Sequence, residues 1–215
     1  GTYTDVAADM GIAVHDHSVT GVWGDVQHDG LPDLYTVGYV NGKPGTQDYQ
    51  FINEGTRVVN RLPDVVAAND TDHGVQWADY DQDGDLDLAL AANDPAGSHY
   101  LFRNDLEASV AKRSIQVLVL DENGHYTRAG AEVRVYRAGT KDLVGLRLVD
   151  TGSGYNAQNA MPVHFGLPNE GPVDVEVTTM TNAGRKTTVV SGVDPKEYAG
   201  RWLVVKVDGA GNLVK

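Results

Sequence analysis

Nine consecutive residues, Asp79-Tyr80-Asp81-Gln82-Asp83-Gly84-Asp85-Leu86-Asp87, put carboxylates at the first, third, fifth and ninth positions and a glycine at the sixth. Four carboxylates this close repel one another unless a cation lies between them. Calcium takes six to eight oxygen ligands, so Asp79, Asp81, Asp83 and Asp87 suit it through their side chains and Asp85 through its carbonyl. Gly84 permits the sharp turn that gathers these oxygens. The twelfth position is Leu90 rather than a bidentate glutamate, and the flanks read as strands, so the loop is no EF-hand. Magnesium, which keeps more water and a stricter octahedron, fits less well.

A second acidic loop precedes it: Asp25-Val26-Gln27-His28-Asp29-Gly30-Leu31-Pro32-Asp33. Asp25, Asp29 and Asp33 remain, Gln27 offers an uncharged amide oxygen, and Leu31 offers a carbonyl. One strong Ca2+ site and a second, weaker one are therefore expected.

Strands must hold these loops. Val22-Trp23-Gly24-Asp25 recurs as Gln76-Trp77-Ala78-Asp79, and Asp33-Leu34 recurs as Asp87-Leu88. Tyr49-Gln50-Phe51-Ile52-Asn53-Glu54 corresponds loosely to Tyr100-Leu101-Phe102-Arg103-Asn104-Asp105. A repeat of about 50 residues with an aromatic before an acidic loop suggests propeller blades. Trp23 and Trp77 are expected in the core rather than stacked on sugar. Short apolar runs follow each loop, Leu34–Val37 and Leu88–Ala92. In the second half, Ser114–Leu120, Ala131–Tyr136, Val173–Thr178 and Arg201–Val207 alternate or run apolar and end in turn residues. The fold class expected is all-β: two propeller-blade-like calcium-binding repeats in residues 1–105, then a β-sandwich or barrel-like domain in 106–215. Residues 106–113 read as the joint.

The chain has 215 residues and a formal net charge of -13, which disfavours nucleic acid and anionic membranes as partners. The absence of cysteine excludes disulfides and thiolate metal sites. No stretch reaches the roughly 18 apolar residues of a membrane span. The start at Gly1, without methionine, reads as a processed end or a cut piece of a longer chain.

Other groups have blander readings. His15-Asp16-His17 could hold zinc or copper with a third ligand, but a solvated loop is expected. His28, inside the weaker loop, is expected to point outward, where it could make that site pH-sensitive. His164, Tyr155 and Gln158 read as structural rather than catalytic. Asn69-Asp70-Thr71 has the form of a glycosylation sequon. No nucleophile elbow, phosphate loop or dinucleotide fingerprint appears, and no catalytic residue is assigned.

Trp77 to Leu88 resembles the FG-GAP/VCBS repeat of integrin-α-type propellers, and Tyr100-Leu101-Phe102-Arg103-Asn104 is similar to the usual end of that repeat. Thr4-Asp5-Val6-Ala7, with Gly11 following, resembles the link that opens a blade. Gly152-Ser153-Gly154-Tyr155-Asn156-Ala157-Gln158 and His164-Phe165-Gly166-Leu167 are similar to the ASPIC/UnbV domain. Together these likenesses cover roughly residues 1–190. The resemblance implies calcium in each intact loop and a secreted, extracellular or periplasmic location; it carries no agreed catalytic residues. Two repeats cannot close a propeller of four or more blades. The chain is then the C-terminal piece of a longer protein, is completed by another chain, or packs its repeats openly on the β-domain. The function expected is a secreted calcium-binding module for adhesion or for recognition of a glycan or protein. The alternatives are a lyase or hydratase on a sugar-like substrate, and a structural subunit whose partners are other chains of an assembly.

Overall fold

The structure, a computed structural model, describes residues 1–14, 17–38, 47–67, 72–92, 99–152, 155 and 162–214. His15, Asp16, Asn69 to Thr71 and Gln158 lie outside the described residues. Strand accounts for 47% and helix for 9%, so the chain is all-β. The α-helices, α1 (Ala7–Met10), α2 (Asp64–Ala67) and α3 (Ala108–Ala111), are single turns.

The first half holds two antiparallel meanders. One contains β1 (Ser18–Gly24), β2 (Asp33–Gly38), β3 (Tyr49–Asn53) and β4 (Val58–Asn60). The other contains β5 (Asp72–Ala78), β6 (Asp87–Ala92) and β7 (His99–Phe102). The duplication read from the sequence is a duplication of pairing: Trp23 opposes Leu34 as Trp77 opposes Leu88, and Gly24 opposes Asp33 as Ala78 opposes Asp87. Each acidic loop therefore joins the first two strands of its sheet. Tyr49 stacks on Phe51, and Tyr100 on Phe102. One core serves both sheets, with Val22, Tyr35, Val37 and Ile52 from the first and Val75, Trp77, Leu88 and Leu90 from the second.

Trp23, expected in the core, is 61% exposed, whereas Trp77 is 9% exposed. The two tryptophans hold the same strand position, but their neighbours differ. The first sheet covers Trp77, whose ring meets Tyr35 edge-on at 5.9 Å. Among the described residues no further sheet does the same for Trp23.

The second half holds two four-stranded sheets. β8 (Ser114–Asp121), β11 (Val163–Gly166), β14 (Leu203–Val207) and β15 (Leu213–Val214) form one, in the order β11-β8-β14-β15. β9 (Glu132–Arg137), β10 (Leu143–Leu148), β12 (Val173–Thr181) and β13 (Gly184–Val193) form the other, in the order β10-β9-β12-β13. Alternation sends Val133, Val135, Val173, Val175 and Val177 into a core shared with Ile115, Val117, Val119, Phe165, Val205 and Val207 of the first sheet. No barrel closes. β8 is buried along most of its length on both faces, as a central strand covered from both sides must be. One face looks into this core, and Gln116 on the other looks toward the acidic loops.

Candidate metal centre at the junction

The loop between β5 and β6 is built by its own carboxylates. Asp87, buried, accepts the Tyr80 N–H at 3.1 Å through Oδ2 and the Asn104 N–H at 2.9 Å through Oδ1. Asp79 Oδ2 accepts the Gly84 N–H at 3.1 Å, and Asp83 Oδ1 accepts the Asp85 N–H at 3.1 Å. The turn runs through left-handed backbone at Gln82 (φ 62°) and Gly84 (φ 110°). In consequence Asp79, Asp81 and Asp87 each bring a carboxylate oxygen to within 4.8 Å of the others, the one such group among the described residues. Asp79 Oδ1 is buried without a hydrogen bond. An orphaned carboxylate oxygen beside two further carboxylates is costly unless a cation or proton meets it. Burial, with Asp83 and Asp87 nearby, pushes Asp79 up to about 6. The donor set is all oxygen and fits a hard cation.

The sequence-assigned ligands do not all converge. Asp85 is fully buried and turned away: its Oδ2 accepts the Leu106 N–H at 3.1 Å, and burial drives it up to about 7. Its Oδ1 is buried without a hydrogen bond, and its carboxylate stands outside the three-carboxylate group; the oxygen that the sequence assigns to a metal is its backbone carbonyl. Asp83 is exposed and stands outside the three-carboxylate group.

The loop between β1 and β2 repeats this framework and adds one bond, from the Asp29 N–H to Asp25 Oδ1 at 3.2 Å. Asp33 accepts the Val26 N–H at 3.0 Å and the Asn53 N–H at 2.8 Å; Asp25 Oδ2 accepts the Gly30 N–H at 2.9 Å; Asp29 Oδ1 accepts the Leu31 N–H at 2.8 Å. His28 (φ 57°) and Gly30 (φ 88°) make the same left-handed turn. Its carboxylates form no comparable group. Gln27 and Asp29 face solvent, while burial raises Asp25 and lifts Asp33 to about 6.

His28 does not point outward. It is 0% exposed, its Nδ1 donates to the Val110 carbonyl at 3.0 Å, and its ring lies 5.1 Å from that of His164. The second half covers the loop and turns the ring inward. His164 Nε2 donates to the Gly84 carbonyl at 2.9 Å. A carbonyl partner fixes the proton on that nitrogen, leaving His28 Nε2 and His164 Nδ1 as buried, unpartnered acceptors. Burial drives both imidazoles down, His164 to about 3.

Both acidic loops therefore lie under the second half. Gly166 of β11 packs against Asp25 and His28, leaving no room for a Cβ. Gln116 of β8 donates its amide N–H to Asp79 Oδ2 at 2.5 Å. A cleft of about 120 Å³ opens beside these contacts, lined by Trp23, Trp77, Asp79, Gln116, Arg147 and His164 among others. Gln116 and Arg147 were not singled out in the sequence. The signal for Gln116 was a lone amide within an apolar strand. Residues 122–193 match the family described as ASPIC and UnbV. A comparison with curated proteins finds no match. The ASPIC/UnbV segment runs from the turn after β8 to the end of β13, so it supplies His164 and Gly166 to the junction, while Gln116 stands just before it. The segment includes neither acidic loop. No helix of the described residues is long and apolar enough to cross a membrane.

Proposed function

We propose that the chain is a calcium-binding β-module that recognises a glycan or protein outside the cytoplasm, with calcium in a structural role. The carrying observation is the convergence of carboxylate oxygens from Asp79, Asp81 and Asp87, together with a buried Asp79 Oδ1 that has no hydrogen-bond partner. Calcium would be held by these three, with Asp83 and the Asp85 carbonyl completing the oxygen set. It would offset the mutual repulsion of the gathered carboxylates. The loop between β1 and β2, through Asp25, Gln27, Asp29, the Leu31 carbonyl and Asp33, would bind more weakly. The strand pairing repeated in the two sheets supports blade-like repeats of the FG-GAP/VCBS kind.

Recognition is supported by the cleft at the junction, where the exposed indole of Trp23 stands near the half-buried Arg147. An aromatic face beside a guanidinium suits a sugar ring or a side chain bearing a carboxylate. The lyase or hydratase alternative would need an accessible base. The junction imidazoles, His28 and His164, are instead buried, with one nitrogen of each tied to a carbonyl.

Differential scanning calorimetry tests the calcium reading. With a dissociation constant of about 10⁻⁴ M, about 10 mM calcium adds about 2.7 kcal/mol. For a chain of this size that is a rise of about 5–10 °C over the chelated sample. An unchanged melting temperature would sink the proposal.

A further inference from the structure

We propose that Gln116 and His164 are positioning residues for the cation loop, so that its full affinity requires the second half of the chain. The inference rests on the calcium reading above and adds to it the groups that shape the site. The two residues are direct cross-strand partners on β8 and β11. Opposed residues in an antiparallel pair project from the same face of a sheet. That face meets the loop at two atoms. Gln116 Nε2 donates to Asp79 Oδ2 at 2.5 Å, and His164 Nε2 donates to the Gly84 carbonyl at 2.9 Å.

Each contact has a consequence for a ligand oxygen. Asp79 Oδ2 already accepts the Gly84 N–H, so the Gln116 amide fills its remaining capacity and leaves Oδ1 as the oxygen free to ligate. Without Gln116 only the Gly84 N–H holds the carboxylate against rotation that would exchange its two oxygens. His164 holds the peptide at the turning point of the loop. Gly84 is also pressed from behind, since a Cβ there would lie 2.5 Å from the Ala111 carbonyl oxygen. Donor and backstop together fix the bend that brings Asp79 and Asp87 to one place. Hydrogen bonds that orient a ligating carboxylate are worth about 10–100-fold in metal affinity.

The other loop provides an internal contrast. Asp25 Oδ2 accepts the equivalent Gly30 N–H but receives no side-chain donor among the described residues; the backbone of Gly166 packs there instead. The donor pair serves the loop whose carboxylates converge.

The test is calcium titration of the intact chain by isothermal calorimetry, comparing wild type with Gln116→Met, His164→Phe and the donor-retaining His164→Gln. Melting in chelator checks that each variant folds. The expected result is about tenfold weaker calcium binding for Gln116→Met and His164→Phe, with His164→Gln recovering much of the loss. A purely structural role would lower melting in chelator and leave the affinity of the folded variants unchanged. If the wild type binds calcium and both folded variants bind it equally well, the positioning role is overturned and the calcium reading stands. If the wild type gives no calcium heat, the calcium reading falls and this inference falls with it. Should Gln116→Met not fold, Gln116→Asn decides. It keeps the amide but shortens its reach so that the donor no longer meets Asp79, and calcium affinity equal to wild type overturns the role.

Discussion

The two acidic loops share one backbone framework and differ in what covers them. Position for position, an aspartate ends each loop by accepting two N–H groups, and another opens it by accepting the N–H of the left-handed glycine. Yet Val26 and His28 are buried where Tyr80 and Gln82 are exposed. The earlier loop is wedged between neighbours: the Asn104 side chain donates to the Val26 carbonyl from one side, and Val110, His164 and Gly166 close on it from the other. The later loop is gripped by the second half but open elsewhere, and there the carboxylates gather. Hydrogen bonding alone thus makes the turn. A metal-binding cluster needs, in addition, acidic side chains at the third position and room for them to converge.

The largest effect expected is at the two glycines. An alanine at Gly84 meets the Ala111 carbonyl at 2.5 Å in backbone of φ 110°, whereas at Gly30 (φ 88°) it meets the edge of Pro168 at 3.2 Å. Gly84→Ala should cost about 3 kcal/mol or more and Gly30→Ala about 1–2 kcal/mol in urea unfolding with chelator present. Equal costs would mean that the second half grips both turns alike.

Next come the opening aspartates. Asp79→Asn should abolish the calcium-dependent rise in melting temperature, a loss of about 2.7 kcal/mol at saturating ion. Asp25→Asn should keep most of that rise. If the two substitutions erased it equally, the assignment of the strong site to one loop would be wrong.

The fourth loop position gives a smaller contrast. His28→Ala removes a buried ring and leaves the Val110 carbonyl without its donor, at a cost of about 1–3 kcal/mol. Gln82→Ala, at an exposed site with nearly the same φ, should stay within about 0.5 kcal/mol. Parallel unfolding curves for the two variants would refute the difference in cover.

That contrast also marks where the sequence stops being legible. The strands could be read from Leu34–Val37, Leu88–Ala92, Ala131–Tyr136 and Val173–Thr178, because alternation and turn residues are local signals. The loop carboxylates could be read for the same reason: nine residues carry both the ligands and the turn. The inward His28 and the exposed Trp23 could not. Local pattern cannot say which face of a repeat will be covered, and here the cover comes from Val110, His164 and Gly166, far along the chain. Strands β10 and β13 were missed because their burial follows no clean alternation. Gln116 was visible only as an oddity, since its partner Asp79 lies in a loop of another sheet, far along the chain.

The smallest effect expected is on pH. Asp79 is lifted from 3.8 to about 6 mainly by burial, and it must lose its proton to bind calcium. Lowering the pH from about 7.5 to 5.5 should therefore weaken binding about fourfold through this group. In the cation-free fold the sign is opposite. A raised carboxylate stabilises fully below its unfolded value and loses that contribution as pH climbs through its folded value. Asp79 and Asp33 (each about 6) and Asp85 (about 7) should thus lower the melting temperature in chelator as pH rises from about 4 to 7. His164, held near 3, works against this trend: below 6.5 its unfolded form takes a proton that the fold refuses. Melting in chelator across this range, with and without His164→Gln, separates the two contributions, and calcium should remove the Asp79 part while leaving those of Asp85 and His164. Asp25→Asn should keep the fourfold weakening of calcium binding. If instead the weakening vanished with Asp25, the titrating group would belong to the other loop, and the contrast between the loops would have to be reversed.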